Sequence, residues 1–188
     1  MSKARKGIRP VVPEIRLAEQ RWGASIAGSL LEQLKELVQT IGVSVAAGDI
    51  HLLEGRWYVT HAGLLRLARR KRCVGIETAP ISEFCDRKDD HYAFRATVFT
   101  SRTCKGFVGY GDADPSNVSA LVRGAEMRIA ETRAVNRALR KAYGIGICSV
   151  EEMGSVPFPV EKIPPQNTNG NGHSNGVGDA SRAAQWPT

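Results

Sequence analysis

The sequence predicts an α+β fold: an N-terminal helix, then a curved antiparallel sheet made of a β-hairpin plus a three-stranded meander. One long C-terminal helix packs on that sheet, and a disordered tail follows. Three observations carry this reading. Tyr92 to Thr100 (YAFRATVFT) is rich in β-branched and aromatic residues, which suit a pleated, half-buried surface. Ser101-Arg102 supplies a turn and Cys104 to Tyr110 returns as the next strand. Past Gly109-Tyr110-Gly111, a helix is expected to begin at Asp114-Pro115 and to run to Gly144. There Asp accepts orphan amide protons and Pro has its fixed φ at the first helical position.

Residues 1–22 read as a basic flexible arm, with Lys3, Arg5, Lys6 and Arg9 set among prolines and little to bury. Such an arm touches nucleic acid through charge alone. Residues 23–153 form the folded domain and 154–188 the tail. Ser25 to Ile41 is the first helix, capped by Ser25 or, a turn later, by the Ser29-to-Glu32 capping box. Ala27, Leu30, Leu31, Leu34, Leu37, Val38 and Ile41 form its apolar stripe, and Gly42 stops it.

Ile50–Leu53 and Arg56–Thr60 read as a hairpin around Glu54-Gly55. Thr60 caps a helix through Arg70 that turns Leu64, Leu65 and Leu67 inward and Arg66, Arg69, Arg70, Lys71 and Arg72 outward. Val74 to Phe84 is a further strand, and Pro80 marks it as an edge or a bulge. A charged turn, Asp86 to Asp90, leads into the central strand. The glycines flanking Tyr110 read as a hinge at a strand end that permits close approach of another chain, with Tyr110 itself packed in the core or, as the second reading, stacked on a base.

On the long helix, Leu121, Ala125, Thr132, Val135, Leu139, Ala142 and Tyr143 share a core-facing arc. Arg128 falls inside that arc as a misfit. Arg133, Arg137 and Arg140 occupy another arc, with Lys141 and Arg123 beside them and Glu126 as the one acid in the row. Arginine presents a planar fork of donors suited to phosphate, so this ridge can follow a nucleic-acid backbone. Ala130, Ala134 and Ala138, four apart, make a small-residue row where another backbone can approach.

The net charge of +7 and pI near 9.5 point to a polyanionic partner. Cys73, Cys85, Cys104 and Cys148 form no C-x-x-C pair and read as reduced, mostly buried packing residues of a cytosolic protein. With His51, His61, His91 and His173 they show no metal-ligand spacing. No secretory signal and no apolar run long enough to span a membrane is evident. There is no G-x-x-x-x-G-K-[ST] loop, no Gly-x-Ser-x-Gly elbow and no Cys/His nucleophile arrangement. The expected activity is binding that changes nucleic-acid structure without covalent chemistry or a cofactor.

Phe94 through Gly111 (FRATVFTSRTCKGFVGYG), the helix beyond it, and Arg137-Ala138-Leu139-Arg140 before Tyr143-Gly144 resemble the annealing domain of the Rad-fifty-two superfamily. These are the single-strand annealing proteins of recombination. Leu53-Glu54-Gly55 and the helix after it are similar to that family's first hairpin and helix, so the resemblance spans roughly residues 45 to 146. It implies ATP-independent binding of single-stranded DNA and annealing of complementary strands in recombination and repair. It also implies a homo-oligomeric ring or arc, with the phosphate backbone in a groove between hairpin sheet and long helix. Arg137 and Arg140 match the family's backbone-binding arginines. Asn136 stands where the family often has Lys, and Arg133 where an acid occurs.

Arg133 and Lys141 join the expected site from the helical wheel, and Arg56, Arg102 and Lys105 are candidate contacts for its rim or for a second strand. Other classes remain open. One is a generic RNA- or DNA-binding regulator without annealing, and another is an interaction protein that docks on a recombination partner. The third is a metal-dependent nuclease using Asp89, Asp90, Asp112 and Asp114, although Asp in turns and caps usually serves the backbone. The expected location is cytoplasmic, with the nucleoid. The Asn-, Gly- and Ser-rich tail ends in Ala183-Ala184-Gln185-Trp186, a candidate docking motif for a recombination protein.

Overall fold

The computed structural model describes residues 10–23 and 26–154. The Ser25 cap, the first nine residues of the arm and the tail from 155 onward, with its Trp186 motif, lie outside the described residues. The class is α+β. Helices α1 (Val11–Trp22) and α2 (Gly28–Thr40) precede a hairpin of β1 (Ile50–Leu53) and β2 (Arg56–Val59). Helix α3 (His61–Arg70) then leads to β3 (Gly75–Pro80), β4 (Tyr92–Phe99), β5 (Phe107–Ala113) and the long helix α4 (Glu126–Tyr143). The hairpin and the antiparallel β3-β4-β5 meander are two separate sheets, not one continuous curved sheet.

The expected flexible arm to residue 22 is corrected by α1. Pro10 precedes the helix and Pro13 is only its third residue, where the amide has no intrahelical acceptor, so neither proline costs a bond. Ala18 is fully buried, and Val11, Ile15, Leu17 and Trp22 pack beside it. Glu14, buried in the first turn, accepts hydrogen bonds from Val45 N at 2.6 Å and Ser44 Oγ at 2.9 Å, which ties α1 to the segment before the hairpin. The capping box at Ser29 does not form. Ser29 is inside α2, whose N-cap is Ala27 with no side-chain bond.

Leu34, Val38, Val43, Val45, Ile50 and Trp57 build a core between α1, α2 and the hairpin. Trp57 donates from Nε1 to Leu30 O at 2.8 Å, and Trp22 meets its ring edge-on at 5.4 Å. The hairpin forms as expected, with Leu53 opposite Arg56 and a two-residue turn whose members, Glu54 and Gly55, both have positive φ. That conformation matches the strand twist. Thr60 caps α3, its hydroxyl accepting from Gly63 N. Leu64 and Leu67 are buried but Leu65 is exposed, contrary to expectation.

Three boundaries shift in the meander. β3 stops at Pro80, on the sheet edge, and a short 3-10 turn at Ser82–Phe84 replaces the rest of the expected strand. The β4–β5 connection is a loop rather than a two-residue turn, because Val98 opposite Phe107 is the last pair. Gly109-Tyr110-Gly111 is therefore mid-strand and not a hinge.

The long helix begins at Glu126, not at Asp114. Asp114 Oδ1 accepts from Ser116 N (2.7 Å) and Asn117 N (3.2 Å), a local turn that competes with helix. A 3-10 turn at Ala120–Val122 follows, and Leu121 is exposed instead of lining the core. Gly144, left-handed, caps the far end and donates to Arg140 O.

Helix α4 lies on the meander through its alanines. Ala130, Ala134 and Ala138 are fully buried. A Cβ added to Gly109 would stand 2.3 Å from Ala138 N, and one on Gly111 would stand 2.3 Å from Ala134 N. Glycine is required here by contact with the helix backbone. The close approach expected for these two rows is thus between β5 and α4 of the same chain. Val135 and Leu139, on the next arc, pack with Leu64, Leu67 and Ala68 of α3. That cover reaches only the later turns, which leaves Arg128 in the first turn exposed and resolves its misfit.

Candidate nucleic-acid interface

The cationic row of α4 meets the free edge of the meander. β5 is an outer strand, so alternate carbonyls along it point away from the sheet with no strand to receive them. Arg133 donates from a terminal guanidinium nitrogen to Asp112 O at 2.7 Å, Arg137 to Tyr110 O at 2.8 Å, and Lys141 Nζ to Val108 O at 2.8 Å. Four residues of helix rise about 6 Å and two residues of strand about 7 Å. The two spacings nearly match, so cations four apart reach carbonyls two apart in three successive pairs.

The three cations differ in what else they touch. Arg133 is buried, and its remaining donors go to Glu151 O, Asn117 Oδ1 and Asn117 O at 2.7–2.9 Å. Burial pulls its guanidinium below the ordinary arginine pKa, and the charge of Asp112 opposes that pull. Its place in the expected ridge is corrected: Arg133 is an internal clamp with no face toward solvent. Arg137 is partly exposed and also bonds Glu152 Oε2 at 3.2 Å. Arg140 is more enclosed, with one guanidinium nitrogen 2.8 and 2.9 Å from the two Glu152 oxygens and its Nε buried without a partner. Lys141 is exposed.

The segment after α4 supplies the counter-charge. It is a 3-10 turn at Val150–Glu152, held by a capping box between Ser149 and Glu152 and by a parallel bridge from Ser149 to Val59. Burial pushes the Glu152 carboxyl up, but hydrogen bonds from Arg140 and Ser149 outweigh it, so its pKa lies below the usual carboxylate value. Only the folded chain brings Glu152 against Arg137 and Arg140; Ser149 followed three residues later by Glu was the one sequence signal of an ordered turn.

Asn136 is fully buried and off the ridge. Its Nδ2 donates to Ser149 Oγ and Glu151 Oε2, so its Oδ1 accepts from His61 Nδ1 at 2.6 Å, and that ring nitrogen carries the proton. The side chain at this position locks α3, α4 and the following turn together and does not face a ligand.

Arg102 and Lys105 are exposed on the β4–β5 loop, and no residue pairs with them among the described residues. Gly106 presses that loop on Thr97 and Phe99, on the sheet face turned away from α4. Arg56 is exposed at the tip of the hairpin, in the other sheet, and is not brought to the α4 row. Two residues missing from the expected site stand beside it. Tyr110, expected in the core, is 54% exposed, and Arg95, exposed, is its cross-strand partner. Strand alternation carried that signal, since Tyr110 must point opposite to Gly109 and Gly111.

The basic end of α3 is partly neutralised. Buried Asp49 takes Arg66 Nε, and Arg70 stands 3.8 Å from it. Asp112 lies 3.7 Å from Arg137, and Asp114 holds its turn, its pKa lowered chiefly by the Ser116 hydroxyl. Among the described residues, no three His, Cys, Asp or Glu side chains gather as a metal site. No helix there is long and apolar enough to cross a membrane. The cysteines are free thiols, three half-buried and Cys148 exposed.

No family model, curated protein or solved structure matches this chain.

Proposed function

We propose that this protein binds single-stranded DNA and anneals complementary strands without ATP, as a ring or arc of identical subunits serving recombination and repair. It acts by holding a strand, with no covalent chemistry and no cofactor. The observation that carries the reading is the edge of β5. Arg137 and Lys141 are fixed there by backbone carbonyls, with Arg95, Arg102 and Lys105 exposed on the adjoining face and loop. Fixed cations on a rigid edge capture a phosphate chain with little ordering cost, and the capture is independent of sequence. The Arg-Ala-Leu-Arg and Gly-Tyr-Gly resemblance supports the choice of annealing over other nucleic-acid binding. The net charge of +7 agrees with a polyanionic partner.

The site used here is narrower than the expected ridge. Arg137 and Lys141 are the contacts, Arg140 positions Glu152, and Arg133 serves the fold. The test is annealing of complementary oligonucleotides without ATP, over a salt series, with particle size read by electron microscopy. Arg137→Glu with Lys141→Glu should abolish strand capture while the thermal melt stays cooperative. Capture and pairing left unchanged in that folded variant would sink the proposal.

A further inference from the structure

The face of the meander turned away from α4 has an open centre. Strand alternation directs Ala96, Val98, Gly109 and Gly111 to the helix, and Arg95, Thr97, Val108 and Tyr110 to the opposite side. Arg95 is directly across from Tyr110, and Ala79 of β3 is across from Arg95. Ala79 is exposed and too small to shield its neighbours. Tyr110 is 54% exposed, and among the described residues no ring or cation stacks on it and no group bonds its hydroxyl.

The surroundings of this ring are cationic. Arg137 bonds the backbone carbonyl of Tyr110, so a guanidinium is anchored on the strand edge at this residue. On the other flank, Arg95 has no ion-pair partner among the described residues. Lys105 adjoins Gly106, which packs on Thr97 and Phe99 of this same face. The acids nearby are Asp112, 3.7 Å from Arg137, and Glu77, exposed and across from Thr97. A bare tyrosine on the solvent side of a sheet is explained by strand propensity alone. An exposed arginine on one side of it, without an ion pair among the described residues, and a guanidinium anchored at the strand edge on the other are not.

We infer that this face is a stacking platform for an unpaired nucleobase. The base lies on the Tyr110 ring, and its flanking phosphates lie on Arg95 and on Arg137. The inference rests on the single-strand binding proposed above and adds the group that would hold a base rather than the backbone. Charge complementarity selects the occupant: a single strand offers a bare aromatic face and phosphates on both sides, whereas duplex DNA keeps its bases stacked. Aromatic platforms flanked by cations bind single strands in this way, without sequence preference.

The full-length protein should be titrated with labelled oligothymidylate, with a sugar–phosphate chain of the same length lacking bases, and with duplex DNA. The wild type should bind the oligothymidylate about five- to a hundredfold more tightly than the abasic chain. Tyr110→Ala and Tyr110→Leu should reduce it to the abasic level, and Tyr110→Phe should keep the preference, because stacking needs the ring and not the hydroxyl. A 2-aminopurine base in the strand should be quenched by the wild type and by Tyr110→Phe, which provides a readout that survives even if the truncated variants fold poorly. Arg95→Ala should weaken both ligands and lower the salt slope by about one.

Equal affinity for the based and abasic strands, retained preference in folded Tyr110→Ala, or tighter binding of duplex would each overturn the platform while leaving backbone capture standing. Failure of the wild type to bind any of these would overturn the single-strand reading and the platform with it.

Discussion

Helix α4 and helices α1 and α2 are both fastened to sheets, by opposite means. Between α1, α2 and the hairpin, large side chains such as Leu34, Ile50 and Trp57 fill the space and keep backbones apart. Between α4 and β5 there are alanines against glycines, and the two backbones nearly touch. The first contact stabilises by burying apolar area, about 1.5–3 kcal/mol for each large side chain. The second has little side-chain area to bury but brings the cationic row to the strand edge, where it can bond the outward carbonyls. Closeness is what places the candidate site, and closeness has no slack. Four variants break or sharpen this contrast.

The largest effect is expected from Gly111→Val. Its Cβ would stand 2.3 Å from a helix backbone nitrogen, so α4 must leave β5, and chemical denaturation should show a loss above about 4 kcal/mol or no cooperative fold. Arg133→Met comes next. It leaves Asp112 O, Asn117 O and Glu151 O without their donor in a buried site, for a loss of about 3–5 kcal/mol in the same measurement. On the other side of the contrast, Leu34→Ala should cost about 2–5 kcal/mol, yet leave oligonucleotide binding unchanged below the melting range, because that core does not place the β5 edge.

The smallest effect on stability, about 1 kcal/mol, is expected from Glu152→Gln. Its pH dependence has a defined sign. The folded-state pKa is lowered, so the carboxylate stabilises the fold above its unfolded value of about 4.3, and the contribution is lost as pH falls below that. Wild-type and Glu152→Gln melting temperatures should differ at neutral pH and converge in acid. The same variant loosens Arg137 and Arg140, so strand capture at low salt should tighten severalfold; no gain would show that Glu152 does not compete with phosphate.

Local patterns announced most of the elements. The Glu54-Gly55 hairpin, the Thr60 cap, the aromatic and β-branched run of β4 and the glycine after Tyr143 are signals between near neighbours, and each appears where expected. Two local readings failed, each for its own reason. Asp114 closes a turn instead of capping α4, and prolines at the start of α1 occupy positions where they cost nothing. The site was only half legible. The row of cations was visible, but its division into an inward clamp, a paired arginine and exposed contacts was not.

By itself the sequence determined an α+β chain with a basic surplus, a glycine-flanked tyrosine and a helix bearing alanines and cations at four-residue spacing. Each follows from periodicity or charge, which act along the chain. Only the tertiary structure decided which cation faces water, because that depends on the depth at which α4 lies against β5 and on a carboxylate, Glu152, delivered by a turn beyond the helix. Burial and partner are properties of the space between elements. The same guanidinium is a structural bolt at Arg133 and a surface contact at Arg137 for that reason alone.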